Sequence, residues 1–212
     1  MVQKLIEQLA AEYNQIYENH PMKWANSYRD KFAFEILGRY GNRSSFLDIG
    51  CGNGHTIDYF HTKWPEIKYV GLDLSKEAIR LAKERCPYAE FVVGDILSSI
   101  PELLRIRPSY SRITIMGVVE HFDDPGETLK AIRPLLALKG LMYVEAPNCL
   151  QLDPDKTEGF RRTYEPKGTG LQEEWHLKRD TWETIIRDAG YIIERSVQGM
   201  SSETEFVWIL RK

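Results

Sequence analysis

Residues 45–54 read Ser45-Phe46-Leu47-Asp48-Ile49-Gly50-Cys51-Gly52-Asn53-Gly54, and this stretch decides the fold. A short apolar run carries an acid, and three glycines follow at alternate positions. The pattern predicts a buried strand that breaks into a tight turn, with a helix beginning at about His55. Glycine backbone lets a ligand approach closely, and the start of a helix offers unpaired N–H groups. The stretch therefore predicts a loop that binds a nucleoside-bearing cofactor.

The chain beyond this loop alternates short apolar runs with amphipathic segments, which is typical of a parallel sheet with helices on both faces. We predict strands at 45–49, 68–73, 90–94, 111–116 and 140–146, and helices at 55–63, 75–86, 99–106, 125–138 and 178–189. Two final apolar runs, 191–197 and 206–210, suit an antiparallel pair at the sheet edge. The expected fold class is α/β, a doubly wound, mostly parallel seven-stranded sheet of the Rossmann-like kind.

The segment before this pattern is helical, with apolar spacing that predicts helices over 2–18 and 26–40. We expect residues 1–44 to form an N-terminal helical extension, and 45–212 to form the cofactor-binding domain. Three aromatic residues of the extension, Tyr13, Tyr17 and Trp24, either pack the helices onto the sheet or cover the cofactor. Residues 147–176 are long, polar and rich in Pro and Gly, so we expect a substrate lid there.

Composition argues against several classes of function. The 212 residues carry a net charge of −3, so the chain has no overall basic field with which to bind nucleic acid. The basic pairs Arg161-Arg162 and Lys178-Arg179 are too small to supply one. Three cysteines without metal-ligand spacing indicate free thiols in a reducing compartment. With no signal peptide and no apolar run long enough to span a membrane, we expect a cytoplasmic protein.

The spacing of the glycines separates two kinds of cofactor. Dinucleotide-binding loops have the form G-x-G-x-x-G, whereas this loop is G-x-G-x-G. Asp48 lies two residues before the first glycine, where its charge would repel a pyrophosphate. A carboxylate there suits a ligand with an ammonium group, which argues against a nicotinamide cofactor.

Two further acids follow the next two predicted strands. Asp73 lies 19 residues after Gly54 (73 − 54), where a carboxylate can accept hydrogen bonds from both ribose hydroxyls. Its alternative role is to cap the following helix. Asp95 follows the third strand, where it either accepts the exocyclic amine of adenine, with Ile96 packed on the ring, or belongs to an ordinary Gly-Asp turn.

Taken together, these motifs resemble those of the class I S-adenosylmethionine-dependent methyltransferases. The resemblance covers about 45–197 and is closest to the small-molecule branch that includes the ubiquinone-biosynthesis O-methyltransferases. It also includes Val118-Val119-Glu120-His121-Phe122 and Lys139-Gly140-Leu141-Met142. It implies S-adenosylmethionine as the cofactor, and it implies that the cofactor is bound by Asp48, Gly50, Cys51, Gly52, Gly54, Asp73, Leu74, Asp95, Ile96, Met116 and Gly117.

Methyl transfer from a sulfonium is an in-line displacement, so the protein mainly aligns the reactants and excludes water. A hydroxyl or protonated amine acceptor also needs a base. His121, in the loop after the fourth strand, and His176, in a His-Leu pair frequent in related proteins, are the two candidates. Some relatives bind a metal there through Glu-x-x-Glu-His, but Gly117 replaces the first Glu. We therefore predict no metal.

The expected function is S-adenosylmethionine-dependent methyl transfer to a small-molecule acceptor, with oxygen as the favoured atom. Lid aromatics and arginines would contact the acceptor: Phe160, Arg161, Arg162, Tyr164 and Trp175. Three alternatives stay open at this point: a non-catalytic cofactor-binding scaffold, a nicotinamide-dependent oxidoreductase, and a methyltransferase acting on RNA or protein. The sequence predicts neither the acceptor nor the oligomeric state.

Overall fold

A computed structural model describes residues 2–22, 25–41, 44–147, 160–164, 172–198 and 205–212 of the chain. The side chains of 2–5, 160–164, 172–174, 176 and 198 lie outside this description. None of the helices in the described ranges is long and apolar enough to cross a bilayer.

The helices and strands alternate as the sequence predicts. The helices are α1 (Val2–Asn19), α2 (Ser27–Leu37), α3 (His55–His61), α4 (Lys76–Arg85), α5 (Ile96–Ile106), α6 (Pro125–Ile132) and α7 (Arg179–Asp188). The strands are β1 (Ser45–Ile49), β2 (Lys68–Asp73), β3 (Glu90–Val93), β4 (Tyr110–Met116), β5 (Leu136–Pro147), β6 (Phe160–Tyr164), β7 (Gln172–His176), β8 (Ile192–Gln198) and β9 (Glu205–Arg211). Two short 3₁₀ turns cover Val119–His121 and Arg133–Leu135.

Seven of these strands form one sheet in the order β3-β2-β1-β4-β5-β9-β8. The first five pair in parallel, and β9 runs antiparallel to both β5 and β8. All five residues of β1 are buried, because helices cover both faces of a parallel sheet. The predicted fold class, a doubly wound α/β sheet closed by an antiparallel pair, is confirmed.

Two apolar clusters hold the helices to the sheet. One joins α5, α6 and α7 to one face through residues such as Leu103, Leu129 and Trp182. The other joins α2 and α3 to the opposite face, and its α2 members are Ala33, Ile36 and Leu37. Helix α2 of the N-terminal extension therefore packs into the same core as β1, while the boundary between 44 and 45 stays a prediction.

Two segments differ from their predicted structure. The helix predicted over 125–138 ends at Ile132, and β5 begins at Leu136, because that residue pairs with Tyr110 ahead of a register shift in the β4–β5 ladder. The predicted lid, 147–176, contains an antiparallel hairpin, in which Phe160 pairs with His176. The remainder of the lid, 148–159 and 165–171, lies outside the described residues.

Candidate functional site

The glycine loop after β1 is held against β2 by backbone hydrogen bonds. The N–H groups of Gly50 and Cys51 both donate to the carbonyl of Leu72, at 2.8 and 2.9 Å. Gly50, Gly52 and Gly54 have φ angles of 75°, 51° and 78°, in the left-handed region that favours glycine. The alternate glycines are thus required by the path of the loop itself.

Asp48 is buried next to the loop, on the β1 strand. Its Oδ1 accepts a 2.6 Å hydrogen bond from Oγ1 of Thr114 on the neighbouring strand β4. Burial and the nearby carboxylates of Asp30 and Asp73 raise the pKa of Asp48 from 3.8 to about 7, against the lowering effects of the Thr114 hydrogen bond and the charge of Arg29. Few groups offset the cost of burying the Asp48 carboxylate, so its negative charge would stabilise a cation bound next to it.

Asp73 lies at the end of β2 and ties the glycine loop to the following turn. Its Oδ2 accepts from the N–H of Gly52 at 2.8 Å, and its Oδ1 accepts from the N–H of Ser75 at 2.9 Å. Burial raises the pKa of Asp73 to about 6, against the lowering effect of these hydrogen bonds. Ser75, not Asp73, caps α4, because its Oγ accepts from the N–H of Ala78.

Asp95 follows β3 and caps α5. Its Oδ2 accepts from the N–H of Ser98 at 3.0 Å, and Ile96 begins the helix as a buried residue. The capping role explains a carboxylate at this position, while the proposed contacts with adenine stay a prediction. Leu74, next to Asp73, is partly buried at the same edge of the sheet.

Arg29, on α2, reaches this edge of the sheet from the N-terminal extension. Its Nη2 lies 2.6 Å from Oε1 of Glu145, a buried residue near the end of β5. Oε2 of Glu145 accepts from the hydroxyl of Tyr143 at 3.2 Å. Burial raises the pKa of Glu145 to about 7, against the lowering effect of Arg29. This ion pair was not predicted from the sequence, since Arg29 belongs to no recognisable motif.

Asp30, the next residue on α2, forms a second polar cluster. Its Oδ2 lies 2.5 Å from Nδ1 of His55, and its Oδ1 accepts from Oγ1 of Thr56 at 2.8 Å. Asp30 is buried. Helical spacing could have found it, because Asp30 shares a helix face with the core residues Ala33 and Leu37.

A cavity of about 60 Å³ lies between α1, α2 and the glycine loop. Five of the predicted cofactor-binding residues line it: Asp48, Gly50, Cys51, Gly52 and Met116. It is also lined by residues of the N-terminal extension and of α3, namely Tyr17, Ala25, Asn26, Arg29, Asp30, His55 and Thr56, together with Asn53.

Gly54 and Gly117 lie beside this cavity and leave room for other groups. A Cβ atom on Gly54 would come within 3.2 Å of Ala82 on α4, so this glycine lets α3 begin close to α4. Gly117 has a φ of 67°, and a Cβ atom there would lie 3.2 Å from Nη2 of Arg29. Their contacts with the cofactor stay predictions.

The two candidate bases lie on segments that the fold brings together. His121 is partly buried in the 3₁₀ turn after β4, and strand β7, which ends at His176, packs beside that turn. The indole N–H of Trp175 donates to the carbonyl of Phe122 at 2.9 Å. The side chain of His176 lies outside the described residues, so its chemistry stays a prediction.

The remaining sequence predictions concern a metal site, the lid residues and the cysteines. Within the described ranges, no group of three or more His, Cys, Asp or Glu side chains is placed to hold a metal ion. Trp24 and Cys149 lie outside those ranges, as do the side chains of Phe160, Arg161, Arg162 and Tyr164. The described cysteines, Cys51 and Cys86, are buried free thiols.

Part of the chain matches a known family model, and several known proteins are similar to the chain. Residues 47–142 match the family model described as a methyltransferase domain. A trans-aconitate 2-methyltransferase from Azoarcus sp. (strain BH72) is 23% identical over 215 residues, which cover 82% of this chain and 75% of the relative. An uncharacterised Synechococcus protein is 28% identical over 127 residues, which cover 57% of this chain. The match with this chain spans 30% of the Synechococcus protein, and it spans 21–46% of three other trans-aconitate 2-methyltransferases.

Solved structures show the same fold at low sequence identity. The 1,6-didemethyltoxoflavin-N1-methyltransferase of Burkholderia thailandensis, solved with 1,6-didemethyltoxoflavin and S-adenosylhomocysteine, superposes with a TM-score of 0.74. The match covers 99% of this chain and 89% of the other, at 19% identity. At this identity the likeness establishes the fold.

Proposed function

We propose that this chain, whose residues 47–142 match a methyltransferase-domain model, binds S-adenosylmethionine and transfers a methyl group from it to a small-molecule acceptor. We favour a hydroxyl oxygen as the acceptor atom. We also propose that the chain belongs to the small-molecule branch that includes the ubiquinone-biosynthesis O-methyltransferases. The observation that carries the proposal is Asp48, a buried acid with a pKa near 7 in the wall of the cavity beside the glycine loop.

The residues at this edge fit the parts of S-adenosylmethionine. The cofactor's methionine end is a zwitterion, so its ammonium group would pair with Asp48. Its carboxylate would face Arg29 and His55, the two basic side chains of the cavity wall. Asp73 would accept hydrogen bonds from the ribose hydroxyls, and Asp95 would accept one from the adenine amine.

The bound cofactor supplies an electrophilic methyl group on a positively charged sulfur. The protein would then orient the acceptor, exclude water and remove a proton. His121 or His176 would take that proton from the acceptor hydroxyl, since both lie on segments that pack together beyond the end of β4.

The relatives differ in their acceptors, and the site favours one kind over the other. The names of the Azoarcus and Burkholderia proteins refer to trans-aconitate and to a toxoflavin precursor. A tricarboxylate such as trans-aconitate requires several cations. Arg29 and His55, the two basic side chains of the cavity wall, would be taken by the cofactor's own carboxylate. The described part of the site therefore favours an acceptor with fewer negative charges.

Cytoplasmic location is part of the same proposal. Cys51 and Cys86 are free, buried thiols, which suits a reducing compartment.

Titration calorimetry with S-adenosylhomocysteine, followed by transfer of a labelled methyl group to a panel of small molecules, tests this function. We expect micromolar binding, and label in hydroxyl-bearing acceptors. Binding without transfer to any panel member, RNA or protein would favour a non-catalytic scaffold. Stabilisation by NAD(H) but not by S-adenosylhomocysteine would overturn the proposal.

Single substitutions of the two histidines test the base. We expect His121→Gln or His176→Gln to lower kcat by about 10²–10⁴-fold while leaving the affinity for S-adenosylhomocysteine unchanged. Full activity in both variants would remove both candidates.

A further inference from the structure

The cavity beside the glycine loop is much smaller than the cofactor it would receive. Its volume is about 60 Å³, whereas pockets for small organic ligands measure roughly 300–1,000 Å³. The glycine loop cannot easily retreat, because it is hydrogen-bonded to β2 in the core of the sheet. Space for the cofactor must therefore come from the opposite wall, which is formed by the N-terminal helices.

Tyr17 of α1 fills the critical part of that space. A Cβ atom built on Gly52 would lie only 2.3 Å from the Tyr17 hydroxyl oxygen, so the phenol lies directly against the loop. The tyrosine is 6% exposed. Burial raises its pKa, and so do the charges of Asp73 and Asp48. The hydroxyl thus lies among the carboxylates proposed to bind the ribose and the ammonium group.

Asn14, one turn earlier on α1, holds the helix in this position. Its Oδ1 accepts from Oγ of Ser75 at 2.8 Å and from the N–H of Glu77 at 3.1 Å. Both donors belong to the start of α4, next to Asp73. The N–H of Glu77 is one of the first-turn donors that have no partner within their own helix.

The packing surface of α1 is α4, not the apolar core of the sheet. Neither of the two apolar clusters among the described residues includes a member of α1, although Ile16 and Tyr17 are buried. By contrast, α2 contributes Ala33, Ile36 and Leu37 to the core. An outward movement of α1 would therefore break contacts with α4 and leave the strands of the sheet paired.

We propose that α1 is a latched cover over the cofactor site, with Tyr17 as its plug and Asn14 as its latch. The cover opens to admit S-adenosylmethionine and leaves the sheet and α2 in place. This inference rests on the proposed function for the identity of the ligand.

Stopped-flow measurement of S-adenosylhomocysteine association tests the latch. Asn14→Ala removes the acceptor of the two hydrogen bonds that hold α1 against α4, so we expect association about tenfold faster than in wild type. Asn14→Asp keeps an acceptor oxygen at the same place and should leave the rate within about twofold. Gln15→Ala, on the exposed neighbour, is the matched control and should also leave it unchanged.

Hydrogen exchange of the cofactor-free wild type gives a second readout that does not depend on activity or on any variant folding. Amides of 2–19 should exchange through an opening of lower free energy than those of α4. Exchange of the two helices with equal protection, or equal association rates for Asn14→Ala and wild type, would overturn the latch. A wild-type protein that binds no S-adenosylhomocysteine would instead overturn the proposed function.

Discussion

Arg112 and Asp48 lie on neighbouring parallel strands, and both are buried. The two side chains differ in the hydrogen bonds that stabilise their charges. Nη1 of Arg112 donates to the carbonyl of Ser111, and Nη2 donates to the carbonyls of Tyr40 and Gly41, at 2.6–2.7 Å. Asp48 receives one hydroxyl, from Thr114, and its pKa rises to about 7. The two terminal nitrogens of the arginine are paired with backbone carbonyls, whereas for the aspartate the cost of burial outweighs the hydrogen bond from Thr114.

The difference follows the direction of the strands. Arg112 lies in the amino-terminal half of β4 and ties that strand to the chain after α2, so its hydrogen bonds connect parts of the structure. Asp48, Asp73 and Glu145 lie toward the carboxyl ends of their strands, and burial raises the pKa of each to about 6 or 7. Burial of uncompensated carboxylates destabilises the folded protein. Where such acids gather at one edge of a sheet, that edge is a candidate site for a ligand that stabilises their charged form.

Among the substitutions that test this difference between Arg112 and Asp48, we expect the largest effect at Asp48. Asp48→Asn should weaken S-adenosylhomocysteine binding by at least about 100-fold, because breaking a buried charge pair costs roughly 3–5 kcal/mol. Calorimetry measures it, with Asp188→Asn on the exposed end of α7 as a control that should bind normally. Normal binding by Asp48→Asn would show that the buried charge of Asp48 does not contribute to the affinity for S-adenosylhomocysteine.

Arg112→Met should lower the free energy of unfolding by about 3 kcal/mol, because it removes the hydrogen bonds that a buried, charged guanidinium donates to the carbonyls of Ser111, Tyr40 and Gly41. Chemical denaturation measures this loss. Affinity for S-adenosylhomocysteine should stay within about twofold in folded protein, since Arg112 serves the fold alone. Arg105→Met, on an exposed arginine, should change stability by less than about 0.5 kcal/mol.

The same Asp48→Asn variant should be more stable than wild type in the absence of cofactor. A pKa of about 7 instead of 3.8 costs roughly 4 kcal/mol of folding stability above pH 7, and asparagine removes much of it. The folded protein binds the proton more tightly than the unfolded chain, so this cost fades as the pH falls from 7 toward 4. We expect a gain on the order of 2 kcal/mol at pH 8 and little at pH 4. Equal stability at pH 8 would contradict the burial cost.

Gly52→Ala tests the loop rather than the charges. The residue has a φ of 51°, and an added methyl group would collide with the Tyr17 hydroxyl. We expect a loss of about 1–2 kcal/mol in unfolding free energy, together with weaker cofactor binding. Gly41→Ala is the matched control, because a Cβ atom there meets nothing within 4 Å. Equal thermal midpoints for the two variants would remove the steric argument.

The smallest expected effect is a pH dependence of binding. Asp48 must be ionised to pair with an ammonium group, and its pKa in the free protein is about 7. Affinity for S-adenosylhomocysteine should therefore fall about tenfold from pH 8 to pH 6, and protonation of Asp73 should add to this loss near pH 6. Calorimetry across this range should show a shallower slope in Asp48→Asn. An affinity that rises as the pH falls would reverse the assigned role.

Sequence reasoning predicted the parts of the molecule that local chemistry controls. Strands β1 and β2 begin and end at the predicted residues, because apolar runs, Gly and Asp mark them directly. The predicted start of β5, at residue 140, was wrong, since Leu136 joins the sheet by pairing with Tyr110, which is distant in sequence. The contributions of Arg29 and Asp30 were missed for the same reason, as each acquires its partner only when α2 packs.

The amino-acid sequence by itself determined the sheet, the glycine loop and the acid beside it, because each depends on residues within one strand and its turn. Tertiary structure alone decided that α1 and α2 complete the site, that Arg29 is neutralised by Glu145, and that Tyr17 lies against Gly52. Those contacts join residues far apart along the chain. Their energies depend on burial, which exists only once the helices have packed onto the sheet.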